Sequence, residues 1–445
     1  MFKLLLTGQS KAPTCWDKSA FRLFQRQVFS GLLTGDILYY AVRMTMAIAK
    51  KPLLDNQILT LESIGLIGFA YYASYAAGKI INGFLSDYLY IGRFITLSLF
   101  VGGILECSLA SIHSSTAWIV VFACIGWCQS VGSAPCCVIL FQWFPSSQLG
   151  TAYSVWGGIR QCGEGLSWTI TTFLVSYYGM ASGFVFSGIA AMASGLAVLL
   201  LLKDRPQTYG FPDPQTLFNE PQQKYETLSP KDTFNQQLRL LKSPMLWLLG
   251  FACAFMYITR YGMSSWALLF LQERGYSLAE AGITMTVYST AGFFGALASG
   301  IISDKWFASN RHTPSLLFGL MNLFAFTLLI ILPSNALVER FVFLLIGFSM
   351  GGLLIFLAGL YACDMLPKKS AGAVKGILGL FAYMATAFQE LASSKLIYTT
   401  QTTTLHYHFD HVLYFWFIAS ALSLLMTYCV VFAAPANTEK PLSSL

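Results

Sequence analysis

Tyr39-Tyr40-Ala41-Val42-Arg43 and, past the middle of the chain, Tyr257-Ile258-Thr259-Arg260-Tyr261 each set one arginine inside a long apolar run. A permanent cation at the centre of a membrane-spanning helix costs about 2.5–3.5 kcal/mol on insertion scales, so two in matching contexts point to function. Arg260 follows Arg43 by 217 positions. The same offset relates Gly83-Phe84-Leu85-Ser86-Asp87 to Gly300-Ile301-Ile302-Ser303-Asp304, Leu61 to Leu278 and Gly65 to Gly282. The chain therefore reads as a duplicated membrane unit with one arginine at the same depth of each copy. That arrangement predicts one central site, lined from both halves, for an anionic ligand.

The composition agrees. Of the 445 residues, 56% are hydrophobic and 11% charged, whereas soluble domains carry roughly 25% charged residues. Apolar runs recur at about the 20 residues needed to cross a bilayer, so the class is an all-α polytopic membrane protein. A net charge of +7 would suggest nucleic acid in a soluble chain. Here the basic residues gather in the loops of one side, and no nucleic-acid partner is expected. The cysteines lie mostly within spans, such as Cys124, Cys128, Cys136 and Cys137, and no pair falls in an outer loop to form a disulfide framework. Cys136-Cys137 lacks the His or Cys neighbours of a metal site. His406, His408 and His411 read as an exposed loop. No Gly-rich Lys-Ser/Thr loop is present for ATP, and nothing in the sequence supports catalysis or a cofactor. The first 26 residues are polar and basic without a cleavable apolar core, so the first span is expected to direct insertion.

Twelve spans are expected, near 27–49, 63–86, 93–112, 117–142, 150–176, 182–202, 245–267, 281–302, 314–334, 338–361, 371–397 and 411–433. They divide into a six-helix bundle over 1–202, a polar linker over 203–244 and a second six-helix bundle over 245–445. Seventeen of the 27 Lys and Arg residues fall in the tails, the linker and the loops of one side, against four in the opposite loops, Lys50, Lys51, Arg274 and Arg340. The positive-inside rule puts both termini and the linker in the cytoplasm, and a bacterial inner membrane is expected.

Six spans, a cytoplasmic linker and six related spans resemble the architecture of major facilitator transporters, built as parallel repeats around a midplane site. Gly-x-x-Ser-Asp after the second span, echoed after the eighth, is similar to that superfamily's loop signature. The resemblance implies a conformational role for Gly83, Asp87, Gly300 and Asp304. Longer strings are more specific: Tyr39-Tyr40-x-x-Arg43, Ala77-Gly78-Lys79-x-x-x-Gly83, Asp204-x-Pro206-Gln207-x-x-Gly210-x-Pro212, Arg260-Tyr261-Gly262-x-x-x-Trp266 and Pro367-Lys368-Lys369-x-Ala371-Gly372. In this order they resemble the organophosphate:phosphate antiporters, which exchange glycerol phosphate or hexose 6-phosphates for inorganic phosphate.

That resemblance implies that Arg43 and Arg260 bind the phosphoryl group, a task suited to the planar, bidentate guanidinium. It makes Lys79 a supporting cation and places Tyr40, Tyr75, Tyr257 and Tyr383 along the cavity. Generic packing of the tyrosines, and an Asp36–Arg43 pair on one helix face, are the structural alternatives. Where the family usually carries histidine this chain has Arg160, which either contacts the substrate or pairs with Glu164 one turn later, an i,i+4 partner. Lys375 extends the basic site or pairs with Asp36, Glu164 or Glu390. The expectation is that Arg160 pairs with Glu164, and Lys375 with Asp36 or Glu390, because unpaired ions in a span are costly. With those pairs formed, a hexose phosphate is favoured over phosphoglycerate. Gly126-Trp127-x-Gln129-x-x-Gly132 and Pro135 suggest close packing or flexibility in the fourth span.

The function expected is exchange of a phosphorylated organic compound, hexose 6-phosphate foremost, for inorganic phosphate by a monomer in the bilayer. An empty cavity of repelling cations would resist closure, which favours obligatory exchange. The alternatives are a membrane sensor of hexose phosphate signalling to a histidine kinase, a glycerol phosphate or phosphoglycerate transporter, and a proton symporter using Asp36, Glu106 or Glu164.

Overall fold

A computed structural model describes residues 14, 16–40, 43–85, 89–132, 134–219, 242–307, 311–333, 335–361, 371–401 and 405–433. Among the described residues, fourteen helices, the shortest of 10 residues, make twelve crossings. The first half contains α1 (Lys18–Tyr40), α2 (Thr45–Asp55), α3 (Leu61–Leu85), α4 (Ile91–Ser108), α5 (Ser115–Ser130), α6 (Ala134–Trp143), α7 (Ser146–Tyr178) and α8 (Met180–Leu201). The second contains α9 (Pro244–Glu273), α10 (Leu278–Trp306), α11 (His312–Ile331), α12 (Ala336–Ile355), α13 (Ala371–Leu396) and α14 (Asp410–Ala433).

Two crossings are broken. The first divides between α1 and α2, with Arg43 and Met44 in a turn. The fourth divides between α5 and α6, where Pro135 occupies the first turn of the new helix, a position whose missing N–H costs no helical bond. Nine crossings are long and apolar enough to span a membrane on length and composition alone, among the described residues. The first, fifth and eleventh crossings carry buried carboxylates, Asp36, Glu164 and Glu390 respectively. Outward faces are apolar, with Ile104, Phe141, Phe324 and Phe341 all exposed, the surface a lipid environment demands.

The duplication in the sequence is a duplication in the packing. In the first half α3 packs on α5, and Gly126 lies directly beneath the Tyr71 carbonyl. In the second half α10 packs on α12, and Gly347 lies beneath the Tyr288 carbonyl. Tyr288 follows Tyr71 by the same 217 positions. A side chain at either glycine would separate the helices.

Between the halves α3 runs along α13 and α7 along α10. The end of the bundle away from the linker is clamped. Lys51 of α2 pairs with Glu273 at the end of α9, Gly65 abuts Ser394, and Gly282 abuts Thr172. Here β1 (Tyr398–Gln401) and β2 (Leu405–His408) form an antiparallel hairpin that places His406 and His408 on strands. The Tyr407 amide donates to Glu273 at 3.1 Å. The described part of the polar segment after α8 folds against the first half. Trp143 Nε1 donates to the Asp204 carbonyl at 2.7 Å, and Phe211 packs edge-on against Phe21 at 5.5 Å.

Candidate functional site

Arg43 and Arg260 reach the same aromatic cluster from opposite halves. Arg43, in the break between α1 and α2, holds its guanidinium 5.3 Å from the Tyr40 ring, 5.5 Å from Tyr75 and 5.7 Å from Tyr261. Its Nη2 donates to the Tyr261 hydroxyl at 3.4 Å, while its buried Nε has no hydrogen-bond acceptor. No carboxylate pairs with it among the described residues. Arg260, midway along α9, holds its guanidinium 5.8 Å from the centre of the same Tyr261 ring. An aromatic face attracts a cation without neutralising it, so this cluster lowers the cost of a buried guanidinium while leaving its charge available to an anion.

The tyrosines form one packed group. Tyr75 and Tyr383 rings lie 4.3 Å apart, Tyr257 and Tyr383 5.6 Å, and Tyr72 and Tyr261 5.1 Å. Lys79 of α3 reaches across to α13 and sits 4.9 Å from the Tyr383 ring. The predicted cavity residues Tyr40, Tyr75, Tyr257, Tyr383, Lys79, Arg43 and Arg260 are thus brought together. Lys375 lies in α13, with its side chain outside the described residues.

The ion pairs differ from expectation. Arg160 and Glu164 do not pair within their helix. Arg160 Nε instead donates to Asp36 Oδ2 of α1 at 3.1 Å, with its guanidinium 3.7 Å over the Trp156 ring. Glu164 Oε1 accepts from Arg260 Nη2 of the second half at 3.2 Å. An Arg160–Glu164 pair would satisfy two ions and strand Asp36 and Arg260, both buried. The two crossed pairs satisfy all four, and the penalty for an unpartnered buried charge decides between the arrangements. The Asp36–Arg43 alternative fails for the same reason, because Asp36 is taken.

Glu390 also has an unforeseen partner. Lys50, read from sequence as an outer-loop residue, lies within α2 and is 1% exposed. Its Nζ lies 3.6 Å from Glu390 Oε2 and 3.4 Å from the centre of the Trp266 ring, and donates to Ser265 Oγ at 2.6 Å. Trp266 Nε1 donates to the same Glu390 oxygen at 3.0 Å. The sequence signal was present but faint. The apolar run does not stop at the lysines, and Leu53 and Leu54 beyond them are both buried.

A cavity of about 60 Å³ lies between these regions, lined by Arg43, Lys50, Tyr71, Glu106, Ser264 and Glu390, among others. Gln129 Nε2 donates to Glu106 Oε1 at 3.5 Å, and Gln129 in turn accepts from the hydroxyls of Tyr39 and Tyr71. Of the loop motif, Gly83 ends in α3 and Asp87 lies outside the described residues. In the second copy Gly300 and Asp304 close α10, and Asp304 accepts from Arg311 Nη1 at 2.8 Å. No group of three or more potential metal ligands occurs among the described residues.

The profile described as Major Facilitator Superfamily matches residues 32–389. The chain belongs to the major facilitator superfamily. Within it, this facilitator groups with the organophosphate:phosphate antiporter type that its motifs resemble. It is 31% identical to the glycerol-3-phosphate transporter of Bacillus subtilis over 384 residues, covering 82% of this chain and 84% of that one. It is 27% identical to the membrane sensor protein UhpC of Escherichia coli (88% and 92% covered) and 28% identical to the hexose-6-phosphate:phosphate antiporter of the same organism (80% and 78%). Among solved structures, a bacterial homologue of the human lysosomal transporter Spinster superposes with a TM-score of 0.69 at 14% identity, over 92% of this facilitator and 95% of that chain. That likeness concerns the fold. The facilitator is a multi-pass integral membrane protein of the transporter class and not an enzyme.

Proposed function

We propose that this facilitator exchanges a phosphorylated organic compound, hexose 6-phosphate foremost, for inorganic phosphate by alternating access. The observation that carries the reading is the convergence of Arg43 and Arg260, one per half, on the ring of Tyr261. A phosphoryl group between them bridges the halves, and its charge offsets the cost of bringing two cationic half-sites together. Lys79 and the hydroxyls of Tyr40, Tyr75, Tyr257 and Tyr383 complete the site. Relatives that bear on the substrate are named for glycerol 3-phosphate and hexose 6-phosphate. The pairing of Arg160 with Asp36 removes one of the two cations that would favour a second anionic group, which supports the sugar phosphate over phosphoglycerate.

In this reading the bundles span 1–202 and 245–445, joined by the segment 203–244. Both termini face the cytoplasm of a bacterial inner membrane, the hairpin end faces outward, and the protein acts as a monomer. The test is counterflow. Proteoliposomes loaded with inorganic phosphate should take up labelled glucose 6-phosphate, and a panel with glycerol 3-phosphate and 3-phosphoglycerate ranks the substrates. Saturable binding of glucose 6-phosphate without flux would transfer the protein to the sensing role named for its UhpC relative.

A further inference from the structure

Among the described residues, Glu164 is the one carboxylate whose partner is a proposed phosphate-binding arginine. The bond crosses the halves, from α7 of the first to α9 of the second, at 3.2 Å, and both residues are buried. Each sits near the middle of its helix, Glu164 in Ser146–Tyr178 and Arg260 in Pro244–Glu273. Two rigid halves rocking about a central site move their ends far and their middles little. Lys51–Glu273 and Lys50–Glu390, towards the hairpin end, must part when that end opens. The central pair need not.

We infer that Glu164 is an internal counter-anion that lets this facilitator change its facing with no ligand bound, so that it carries out net, one-way phosphate transport in addition to exchange. The argument is electrostatic. Obligatory exchange requires an empty site too costly to close, which uncompensated cations from both halves would provide. Here the cation of the second half is neutralised by a carboxylate of the first, in the place where a phosphoryl oxygen would otherwise sit. The empty carrier thereby keeps one ionic link across its halves in both facings. The incoming phosphoryl group competes with Glu164 for Arg260, so the carboxylate weakens ligand binding while it releases the carrier from its need for one.

This inference rests on the proposed phosphate site, and its test separates the two. Purified protein is reconstituted with labelled inorganic phosphate inside and with potassium and valinomycin to shunt the charge that net efflux moves, and efflux is measured into phosphate-free buffer and into buffer containing phosphate. Wild type should empty into phosphate-free buffer at a rate within about threefold of exchange. In Glu164→Gln the ratio of net to exchange flux should fall at least about tenfold, whatever the absolute exchange rate, because Arg260 is then buried uncompensated in the empty state. Glu164→Asp should restore part of the ratio. Wild-type efflux that strictly requires external phosphate overturns the inference and leaves the exchange function standing. An equal ratio in wild type and Glu164→Gln overturns the role of Glu164. Absence of phosphate flux in both modes removes the proposed function and the inference together. The wild-type measurement decides even where Glu164→Gln does not accumulate.

Discussion

Replacing Glu390 by glutamine should open the hairpin end of the bundle. Lys50, on the first half, is held there entirely by groups of the second: the Glu390 carboxylate, Ser265 Oγ and the Trp266 ring. Both Lys50 and Glu390 are 1% exposed, so the pair has exchanged water for each other. Removing one member of such a pair costs about 3–5 kcal/mol, mostly for the charge left behind. Ser265 and Trp266 remain in Glu390→Gln, and glutamine still accepts a hydrogen bond, so the lower figure applies. That cost exists only while the end is closed, because opening returns Lys50 to water. The closed-to-open ratio should therefore fall roughly 100-fold, at about 1.4 kcal/mol per decade. The assay is alkylation of Ser264→Cys, a buried residue lining the adjoining cavity, in a background with the native cysteines replaced. A membrane-impermeant maleimide applied from the hairpin side should react on the order of 100-fold faster in Glu390→Gln, provided opening is fast relative to alkylation. Adding Lys50→Met should bring the rate back to within about tenfold of the parent, since no uncompensated charge is then left buried at the closed end. A Glu390→Gln rate within about twofold of the parent would refute the gate and the energy assigned to it.

Arg43→Lys and Arg260→Lys should each insert normally and reduce phosphate exchange by at least about tenfold, since an ammonium cannot form the bidentate fork. Near-normal exchange in either would remove that arginine from the site. Asp36→Asn and Arg160→Gln should each lower the melting temperature in detergent, and the double variant should be more stable than the sum of the two losses predicts. Strict additivity would deny the 3.1 Å pair an energetic role. A reporter active only in the cytoplasm should work when fused after Lys224 or after Leu445, and a periplasmic signal from either fusion would reverse the orientation.

Much of this molecule is written in local sequence. Periodic apolar runs, the constant offset of the repeat and the two isolated arginines determine the class and the pseudo-symmetric halves. They do so because a bilayer admits few solutions for a chain with buried backbone polar groups. The shared depth of Arg43 and Arg260 follows from the same symmetry, and they converge because both side chains face the axis between the halves, at the Tyr261 ring. The partners of the charged residues do not follow. An i,i+4 spacing makes Arg160–Glu164 possible, yet the choice belongs to Asp36 and Arg260, which lie on other helices and carry charges with nowhere else to go. Lys50 looks like a loop residue until Trp266 and Glu390 of the opposite half are seen to cover it. Side-chain direction within a helix is a local property, whereas the cheapest arrangement of all the buried ions depends on every helix at once. Only the tertiary structure decides it.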